Sequence, residues 1–331
     1  MPIYNVASYV KESLLSALNQ TYENLEIIVV DDKGKDNSMD IVRSVISTHP
    51  RGNIVRIIEH PKNLKTGATK NTAIDNAKGE YLFFMDSDDI IIPECIQIFY
   101  EKMKECQVDV IIASHVQCRK ENLSSYLNEF PISSCVIKEK QAILKYTKGF
   151  EREKYPVPMW NKLYDMNFIR KFNIRCIPHH LQEDPWFSFQ VCVYARSFAT
   201  INKITYKQII HSNSQSFVPL SLYHIQQNKE ICEAEIALMK GYKELPKGVM
   251  DLYFSRLKYL IPYIRGLNFT DEIKKDFCLC CTNIQKVKFK YNNIYRLDNK
   301  LLAFAYNTRS YFIIHFMHTI LNKYYSFSRR K

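Results

Sequence analysis

Two acidic clusters follow apolar segments in the first third of this sequence. Residues 86–89 (Asp-Ser-Asp-Asp) come directly after the apolar run 81–85, and Asp31 and Asp32 close another. Carboxylates this close together repel one another unless a cation lies among them. Hard divalent cations such as Mg²⁺ prefer oxygen ligands and are often shared with substrate phosphates. The 86–89 turn is therefore predicted to hold a cation and a diphosphate, with a solvated turn or helix cap as the alternative.

A third acidic pair, Glu183-Asp184, stands just before Pro185. Acidic residues favour the first turn of a helix, so a structural role at a helix start is one interpretation. The other is a general base that deprotonates a sugar hydroxyl, which requires a carboxylate aimed at the reacting centre. The residues alone leave both open.

The elements that must position these clusters are predicted from hydrophobic patterns. Short apolar runs predict strands at 25–30, 54–58, 80–85 and 108–113, and stripes of apolar residues predict helices at 9–19, 66–77 and 93–106. Alternating strands and helices are typical of an α/β domain with a mostly parallel sheet. Ligands of such sheets bind at the carboxyl ends of the strands, where both acidic turns fall.

The pattern changes beyond residue 120. It is weak from 120 to 158, with a possible helix at 141–147. It then predicts helices at 160–173 and 183–195 and a strand at 199–210. A boundary near Pro219 separates this α/β part, residues 1–218, from an extension, residues 219–331, predicted to be helical at 221–245, 249–266, 271–288 and 299–325.

The positive charge of the chain is concentrated at its C-terminal end. The net charge is +12, and from Gln285 onward ten basic residues face one acid, Asp298, which gives 10 − 1 = +9. Aromatic residues are interleaved with these cations, a composition typical of a membrane interface with anionic lipids. Nucleic acid is disfavoured as a partner because no nucleic-acid motif accompanies the charge, and a solvated tail is the remaining alternative. No apolar run reaches the ~18 residues of a spanning helix.

Common phosphate-binding motifs are missing from the sequence. It contains no Gly-x-Gly, no P-loop and no Gly-x-Ser-x-Gly elbow. Phosphates are therefore expected to be held by a cation and by basic side chains such as Lys65 or Lys70.

These residues together resemble a known family, the inverting family-2 glycosyltransferases with the GT-A fold. The resemblance is close over 1–115 and looser over 155–215. It is carried by residues 2–6 (Pro-Ile-Tyr-Asn-Val), 16–22, 26–32, 70–71, 77–81 and 84–89. It implies a Rossmann-like mixed sheet with a donor-binding half, 1–115, and an acceptor half, 116–218. Residues 160–164 and 183–184 resemble motifs of members that build bacterial capsule, lipopolysaccharide or exopolysaccharide.

The resemblance also implies roles for individual residues. Pro2 and Tyr4 would border the nucleobase and Asp32 would accept a hydrogen bond from uracil. Lys65, Lys70, Asp86 and Ser87 would lie around the nucleotide-sugar, Asp88 and Asp86 would serve Mn²⁺ or Mg²⁺, and Asp184 would be the base. His211 is a further possible metal ligand, with an ordinary loop histidine as the alternative.

The implied reaction is a single displacement that inverts the anomeric carbon of a UDP-hexose or UDP-N-acetylhexosamine. The acceptor would be a saccharide or a polyprenyl-linked saccharide, and the protein would lie in the cytoplasm, peripherally at the inner face of the membrane. Two alternatives are a catalytically silent nucleotide-sugar-binding subunit and a nucleotide-sugar pyrophosphorylase. The latter is disfavoured because it should open with a Gly-rich phosphate loop.

The sequence departs from the family pattern at three places. The first strand of the family should precede Pro2, so we expect that strand to be missing or to lie upstream of Met1. Lys33 and Lys35 stand in the turn after Asp32. Lys70 stands where arginine is usual, which loses a bidentate fork.

Overall fold

A computed structural model describes residues 1–139, 142–144, 157–211, 221–266, 268–294 and 297–328. These residues fall into two compact units. The first takes the described residues up to 143 and those from 157 to 211, and the second takes Leu144 and those from 221 onward.

The first unit alternates strands and helices along its N-terminal part, as the hydrophobic pattern predicts. Its elements are β1 (Pro2–Ile3), α1 (Val10–Leu18), β2 (Ile27–Asp31), α2 (Ser38–Thr48), β3 (Val55–Glu59), α3 (Thr66–Asn76), β4 (Tyr81–Phe83), β5 (Ile90–Ile91) and α4 (Cys95–Cys106). They continue with β6 (Val110–Arg119), β7 (Asn122–Phe130), β8 (Cys135–Lys138), β9 (Lys162–Asp165), α5 (Met166–Lys171), α6 (Asp184–Tyr194) and β10 (Ser197–Ile209). The prediction of an α/β unit is confirmed.

The strands of the first unit form two sheets. One is parallel and three-stranded, in the order β1-β2-β3. The other has the path β4-β9-β6-β10-β5, with β7 added on β6 and β8 on β10. It is mixed, because β10 runs parallel to β6 but antiparallel to β5 and β8. β1 is only two residues long, Pro2–Ile3.

A shared apolar core holds the strands and helices of the first unit. Leu14 of α1 and Phe99 of α4 are fully buried against Val29 of β2 and Ile111 of β6. Each such side chain contributes roughly 1.5–3 kcal/mol relative to remaining in water. The apolar residues that the sequence places on one face of each helix are thus the residues that cover these strands.

The predicted helix at 160–173 is wrong over its first half. Residues 162–165 form β9, which lies between β4 and β6, and the helix begins only at Met166. Asn161 has a left-handed φ of 56° and its amide donates to the carbonyls of Ala113 and Ser114. These hydrogen bonds hold the backbone at Asn161 against β6, and the left-handed conformation prevents a helix from running through this residue.

The stretch that lacks a clear pattern also contains strands. β7 is exposed along most of its length, so it carries no apolar alternation that a sequence could reveal. Of the possible helix at 141–147, residues 142–144 are helical and the remainder lies outside the described residues.

The described part of the second unit is helical. Its helices are α7 (Leu222–Lys240), α8 (Val249–Gly266), α9 (Asp271–Cys281), α10 (Leu297–Asn307) and α11 (Tyr311–Ser328), with short 3-10 turns at Thr282–Lys286 and Tyr291–Asn293. The single helix predicted at 299–325 is wrong, because Arg309 adopts a φ of 56° and breaks it in two. The helix predicted at 271–288 ends at Cys281. Within the described ranges, no helix combines the length and apolarity needed to cross a bilayer.

Candidate functional site

Asp89 anchors the acidic turn that follows β4. Its carboxylate accepts hydrogen bonds from the Tyr206 hydroxyl (2.7 Å) and the Ile209 amide (2.8 Å), both on β10. The Asp86 amide donates to the same hydroxyl at 3.2 Å. Burial, together with the nearby charges of Asp88 and Asp86, raises the pKa of Asp89 well above its usual value. Asp89 therefore fixes the conformation of the turn, and Asp86 and Asp88 remain available to the candidate site.

The anchoring hydroxyl is itself held in a rigid aromatic stack. The ring of Tyr206 lies on Trp160 with centroids 4.6 Å apart, and Trp160 meets His115 edge-on at 4.8 Å. Tyr206 is fully buried. Sequence reasoning missed its role, although the alternation of the 199–210 strand would have placed it on the inward face.

Asp88 and His211 lie side by side, as a shared metal site requires. The Asp88 carboxylate is 3.0 Å from His211 Nε2, and Tyr9 stacks on the imidazole at 4.3 Å. His211 Nδ1 is buried, and no residue within the described ranges forms a hydrogen bond with it. One carboxylate oxygen and one imidazole nitrogen suit a divalent cation that completes its shell with phosphate oxygens and water. The donor set therefore fits the expected Mn²⁺ or Mg²⁺.

Lys70 is a buried cation surrounded by carboxylates from two distant parts of the chain. Its Nζ lies 2.6 Å from Glu183, 3.4 Å from Asp184 and 3.7 Å from Asp86. Its side chain is only 2% exposed. Lys70 is expected to lie near the donor. Its side chain also contacts the acidic pair Glu183-Asp184.

The protonation of this cluster is set by burial and by its own charges. Burial alone would lower the pKa of Lys70, yet the charges of Asp184, Glu183 and Asp86 raise it well above its usual value. Burial raises the pKa of Asp86 to about 6 and that of Glu183 to about 7, against the opposing effect of Lys70. The lysine therefore stays charged, and its charge opposes the protonation of Asp86 and Glu183 that burial favours.

Asp184 opens α6 and points to the side of the cluster that solvent reaches. Its Oδ1 accepts a hydrogen bond from the Met159 amide at 3.0 Å, and its side chain is 27% exposed. Glu183, by contrast, is buried beneath it. Of the two acids, Asp184 is the one that an incoming hydroxyl could reach.

Asp32 organises the loop that leads into α3. Its buried carboxylate accepts hydrogen bonds from His60 Nδ1 (2.8 Å), the Leu64 amide (2.7 Å) and the Lys65 amide (3.0 Å). A carboxylate can accept about four hydrogen bonds, so Asp32 can accept one more from a further donor such as the edge of a nucleobase. Lys65 adopts a φ of 78°, a strained backbone that these bonds stabilise. Neither His60 nor this loop role is indicated by the sequence.

The residues expected around the nucleobase lie at the carboxyl ends of β1 and β2. The Asp32 amide donates to the Ile3 carbonyl at 3.0 Å, which places the end of β1 beside Asp32. Pro2 lies within β1, and Tyr4 follows it with 41% of its surface exposed. Ser87 is buried in the acidic turn. The roles of these residues toward a donor stay predictions.

The chain was compared with known proteins. The family model described as "Glycosyl transferase family 2" matches residues 1–171, more than half of the chain. The chain belongs to glycosyl transferase family 2.

Curated family-2 relatives cover different shares of this chain. The putative glycosyltransferase EpsH of Bacillus subtilis is 30% identical over 217 residues, which are 64% of this chain and 60% of that protein. The chondroitin synthase of Escherichia coli is 27% identical over 249 residues, which are 74% of this chain and 34% of that protein. The chain thus spans less than two thirds of the length of these relatives.

A solved structure aligns with almost the whole chain. The crystal structure of S. aureus TarS 1-349 in complex with UDP-GlcNAc aligns with 97% of this chain and 90% of its own, with a TM-score of 0.74 and 16% identity. At that identity the likeness bears on the fold alone. It confirms the GT-A fold with a helical C-terminal region that the sequence predicts.

We expect Tyr206→Phe to loosen the acidic turn. It leaves the buried Asp89 without its hydroxyl donor, so the free energy of unfolding should fall by about 1–3 kcal/mol. Binding of UDP with Mn²⁺, measured by calorimetry, should weaken as well. The matched control is Tyr253→Phe, which removes a buried hydroxyl bonded to the Cys281 carbonyl (3.0 Å) in the second unit. Equal UDP affinity in both variants would contradict the anchoring role.

We expect Lys70→Met to destabilise the protein by roughly 3–5 kcal/mol, because it leaves buried carboxylates without their cation. Adding Glu183→Gln should recover part of that loss in chemical denaturation. Lys102→Met, which breaks a surface pair with Glu105, serves as the control and should cost less than about 1 kcal/mol. A double variant no more stable than Lys70→Met would argue against a buried Lys70–Glu183 pair.

Proposed function

We propose that the protein is an inverting, metal-dependent glycosyltransferase that uses a nucleotide-diphospho-sugar. One observation carries this proposal. Lys70 Nζ lies within 3.7 Å of Asp86 in the acidic turn and within 3.4 Å of Asp184 at the start of α6. The turn suited to a diphosphate and the carboxylate suited to a base are thus neighbours in one site.

Each residue of the site has a distinct task in this reaction. Asp184 accepts the proton of the acceptor hydroxyl as its oxygen bonds to the anomeric carbon, while the bond from that carbon to the diphosphate breaks. Attack on the face opposite the leaving group inverts the configuration. Lys70, whose nitrogen is 3.4 Å from Asp184, holds that carboxylate in place. A divalent cation held by Asp88 and His211 would offset the charge that develops on the leaving diphosphate.

The donor we propose is a UDP-hexose or UDP-N-acetylhexosamine. The structural relative TarS was solved with UDP-GlcNAc and with UDP, which supports a uridine donor for a chain of this fold. In this protein, Pro2, Tyr4 and Asp32 would hold the uracil, and Lys65, Asp86 and Ser87 would hold the rest of the nucleotide.

The acceptor we propose is a saccharide or lipid-linked saccharide of a bacterial surface polymer. Relatives of this chain carry names that state a polymer as product or as acceptor, among them the hyaluronan synthase of Pasteurella multocida and the poly(ribitol-phosphate) beta-glucosyltransferase of Bacillus spizizenii. A lipid-linked acceptor would require the protein to work at a membrane surface.

An apolar face on α10 and α11 supports such a location. The two helices pack together through Tyr306 and His318, whose side chains are 3.0 Å apart. On their exposed sides, apolar residues recur three or four positions apart, at Leu297, Leu301 and Phe304 and at Phe312, Phe316 and Ile320. Phe312 is 75% exposed. Because the same segment of the sequence carries a surplus of cations, this face suits an anionic bilayer. We therefore propose that the protein associates peripherally with the inner leaflet.

We expect Asp184→Asn to abolish turnover while donor binding is kept. The amide retains the shape of the carboxylate but cannot take a proton, so kcat should fall by about 10²–10⁴ with little change in KM for the donor. Both kcat and KM are measured from the rate at which UDP is released from a panel of UDP-sugars in the presence of Mn²⁺. Asp75→Asn, at an exposed ion pair with Arg175, is the matched control and should remain active.

Two results would overturn the enzyme assignment. One is the absence of turnover with every donor and acceptor supplied to the parent protein. The other is unchanged UDP binding after Asp88→Ala in the presence of Mn²⁺. Together they would favour a catalytically silent subunit of the same fold.

We expect the double variant Phe312→Ser/Phe316→Ser to lose membrane binding. Each ring removed forfeits an apolar burial of about 1.5–3 kcal/mol, so flotation with phosphatidylglycerol vesicles should weaken by tenfold or more. The control is Tyr126→Ser/Leu127→Ser, which removes two exposed apolar residues from β7. A parent protein that stays in solution at moderate salt would contradict the assignment.

A further inference from the structure

The short connection at residues 157–159, which precedes β9, is held at every carbonyl by a side chain. The donors are Ser188 Oγ to the Val157 carbonyl (2.5 Å), Lys162 Nζ to the Pro158 carbonyl and the Tyr164 hydroxyl to the Met159 carbonyl (3.2 Å). Lys162 and Tyr164 belong to β9 and Ser188 belongs to α6. Because its carbonyls are satisfied in this way, the connection holds its remaining polar group in a defined position.

That remaining group is the amide of Met159, and it is bonded to the proposed base. Met159 N donates to Asp184 Oδ1 at 3.0 Å. This N–H and the carbonyl of Pro158 belong to the same planar peptide group. The carbonyl side of that peptide accepts from the Lys162 ammonium, and its N–H side donates to Asp184. One peptide group therefore connects the lysine to the carboxylate.

The two hydrogen bonds of this peptide group strengthen one another. A hydrogen bond from an ammonium is charge-assisted, and a cation at a carbonyl polarises the peptide toward it. Hydrogen bonds in such a chain act cooperatively, so the N–H on the far side becomes a better donor. Lys162 thereby strengthens and orients a hydrogen bond that Asp184 accepts, although its own contact is with a carbonyl.

Lys162 is a costly residue to bury at this point. It is fully buried in β9, opposite Ile112 of β6. Burial lowers its pKa to about 7, and the charge of Asp184 is the largest effect that opposes this shift. An apolar side chain could fill the same space without an ammonium to desolvate. Packing alone therefore does not account for a lysine here, whereas the hydrogen bond to the Pro158 carbonyl uses its charge.

Asp184 is held through only one of its two oxygens. Its Oδ1 accepts from the Met159 amide and lies 3.4 Å from Lys70 Nζ. In the part of the chain that the structure describes, no group donates a hydrogen bond to Oδ2. Since the side chain is 27% exposed, Oδ2 is the oxygen that remains for an incoming hydroxyl.

We propose that Lys162 is a positioning residue for Asp184, and that it acts through the peptide group between Pro158 and Met159. This peptide fixes Oδ1, so that Oδ2 is presented to the acceptor hydroxyl. The inference rests on the proposed function of Asp184 as the base. Lys162 itself is buried, and its effect on the reaction is transmitted through that carboxylate.

Lys162→Met tests the proposal, because it keeps the apolar stem and removes the ammonium. We expect kcat for a UDP-sugar with Mn²⁺ to fall by about tenfold or more, since a displaced reacting group is costly. The affinity for UDP, measured by calorimetry, should stay within about twofold of the parent protein, because the nucleotide does not use Asp184. Tyr164→Phe is the matched variant, since it removes a donor from the next peptide group of the same connection. Its loss in kcat should be several-fold smaller.

A double variant shows whether Lys162 acts through Asp184. In the Asp184→Asn background, adding Lys162→Met should lower the residual rate by less than about twofold. Two losses that multiply would contradict the connection. The outcomes also separate this inference from the proposed function. Full turnover in Asp184→Asn would remove the proposed base, whereas an inactive Asp184→Asn beside a fully active Lys162→Met would overturn the positioning role alone.

Hydrogen exchange at the Met159 amide tests the same connection without any turnover. We expect this amide to exchange about tenfold or more faster in Lys162→Met than in Tyr164→Phe, because its hydrogen bond to Asp184 is weakened only in the first. Lys162→Gln, which also removes the charge, takes the place of Lys162→Met in every comparison if the methionine variant does not fold. Equal exchange of the Met159 amide in the lysine and tyrosine variants would overturn the proposal.

Discussion

The arrangement of the site depends on the burial of one cation, Lys70. A buried ammonium is costly unless carboxylates surround it, and buried carboxylates are costly without a cation. Glu183 and Asp184 at the start of α6 and Asp86 after β4 supply the matching charges, 2.6–3.7 Å from the lysine nitrogen. This mutual requirement ties α3, α6 and the acidic turn to one point. The same constraint places Asp184, the proposed base, next to the turn that we propose for the diphosphate.

Within each acidic pair or turn, one acid is used for structure and another remains available for chemistry. Asp89 is buried and bonded to Tyr206 and Ile209, whereas Asp88 next to it stays partly exposed beside His211. Glu183 is buried against Lys70, whereas Asp184 reaches solvent. The buried member fixes the backbone, and so the exposed member is presented in a defined position. Rigid presentation of this kind is what a reaction at a positioned centre requires.

Much of the first unit could be predicted from sequence because its strands are apolar and end in acids. The strand-end rule places Asp32 and Asp86 on the same edge of α/β sheets, and the structure has them at the ends of β2 and β4. Contacts between distant segments could not be predicted, since Lys70 and Asp184 are 114 positions apart. The strand 162–165 was missed because a short buried run does not distinguish helix from strand. The break between α10 and α11 was missed because Arg309, not glycine, takes the left-handed conformation there.

The use of lysine at position 70, where the resemblance to the family leads us to expect arginine, follows from the shape of its surroundings. A guanidinium is planar and pairs best with one carboxylate through two parallel hydrogen bonds. The three carboxylates around Lys70 come from two segments, the start of α6 and the turn after β4, and their oxygens lie at distances of 2.6, 3.4 and 3.7 Å from one nitrogen. A compact ammonium with three donors can contact all three, and it also lies over the ring of Phe84, whose centroid is 6.0 Å from Nζ. The lysine therefore gives up the bidentate fork but gains simultaneous contact with the acidic turn and with the proposed base.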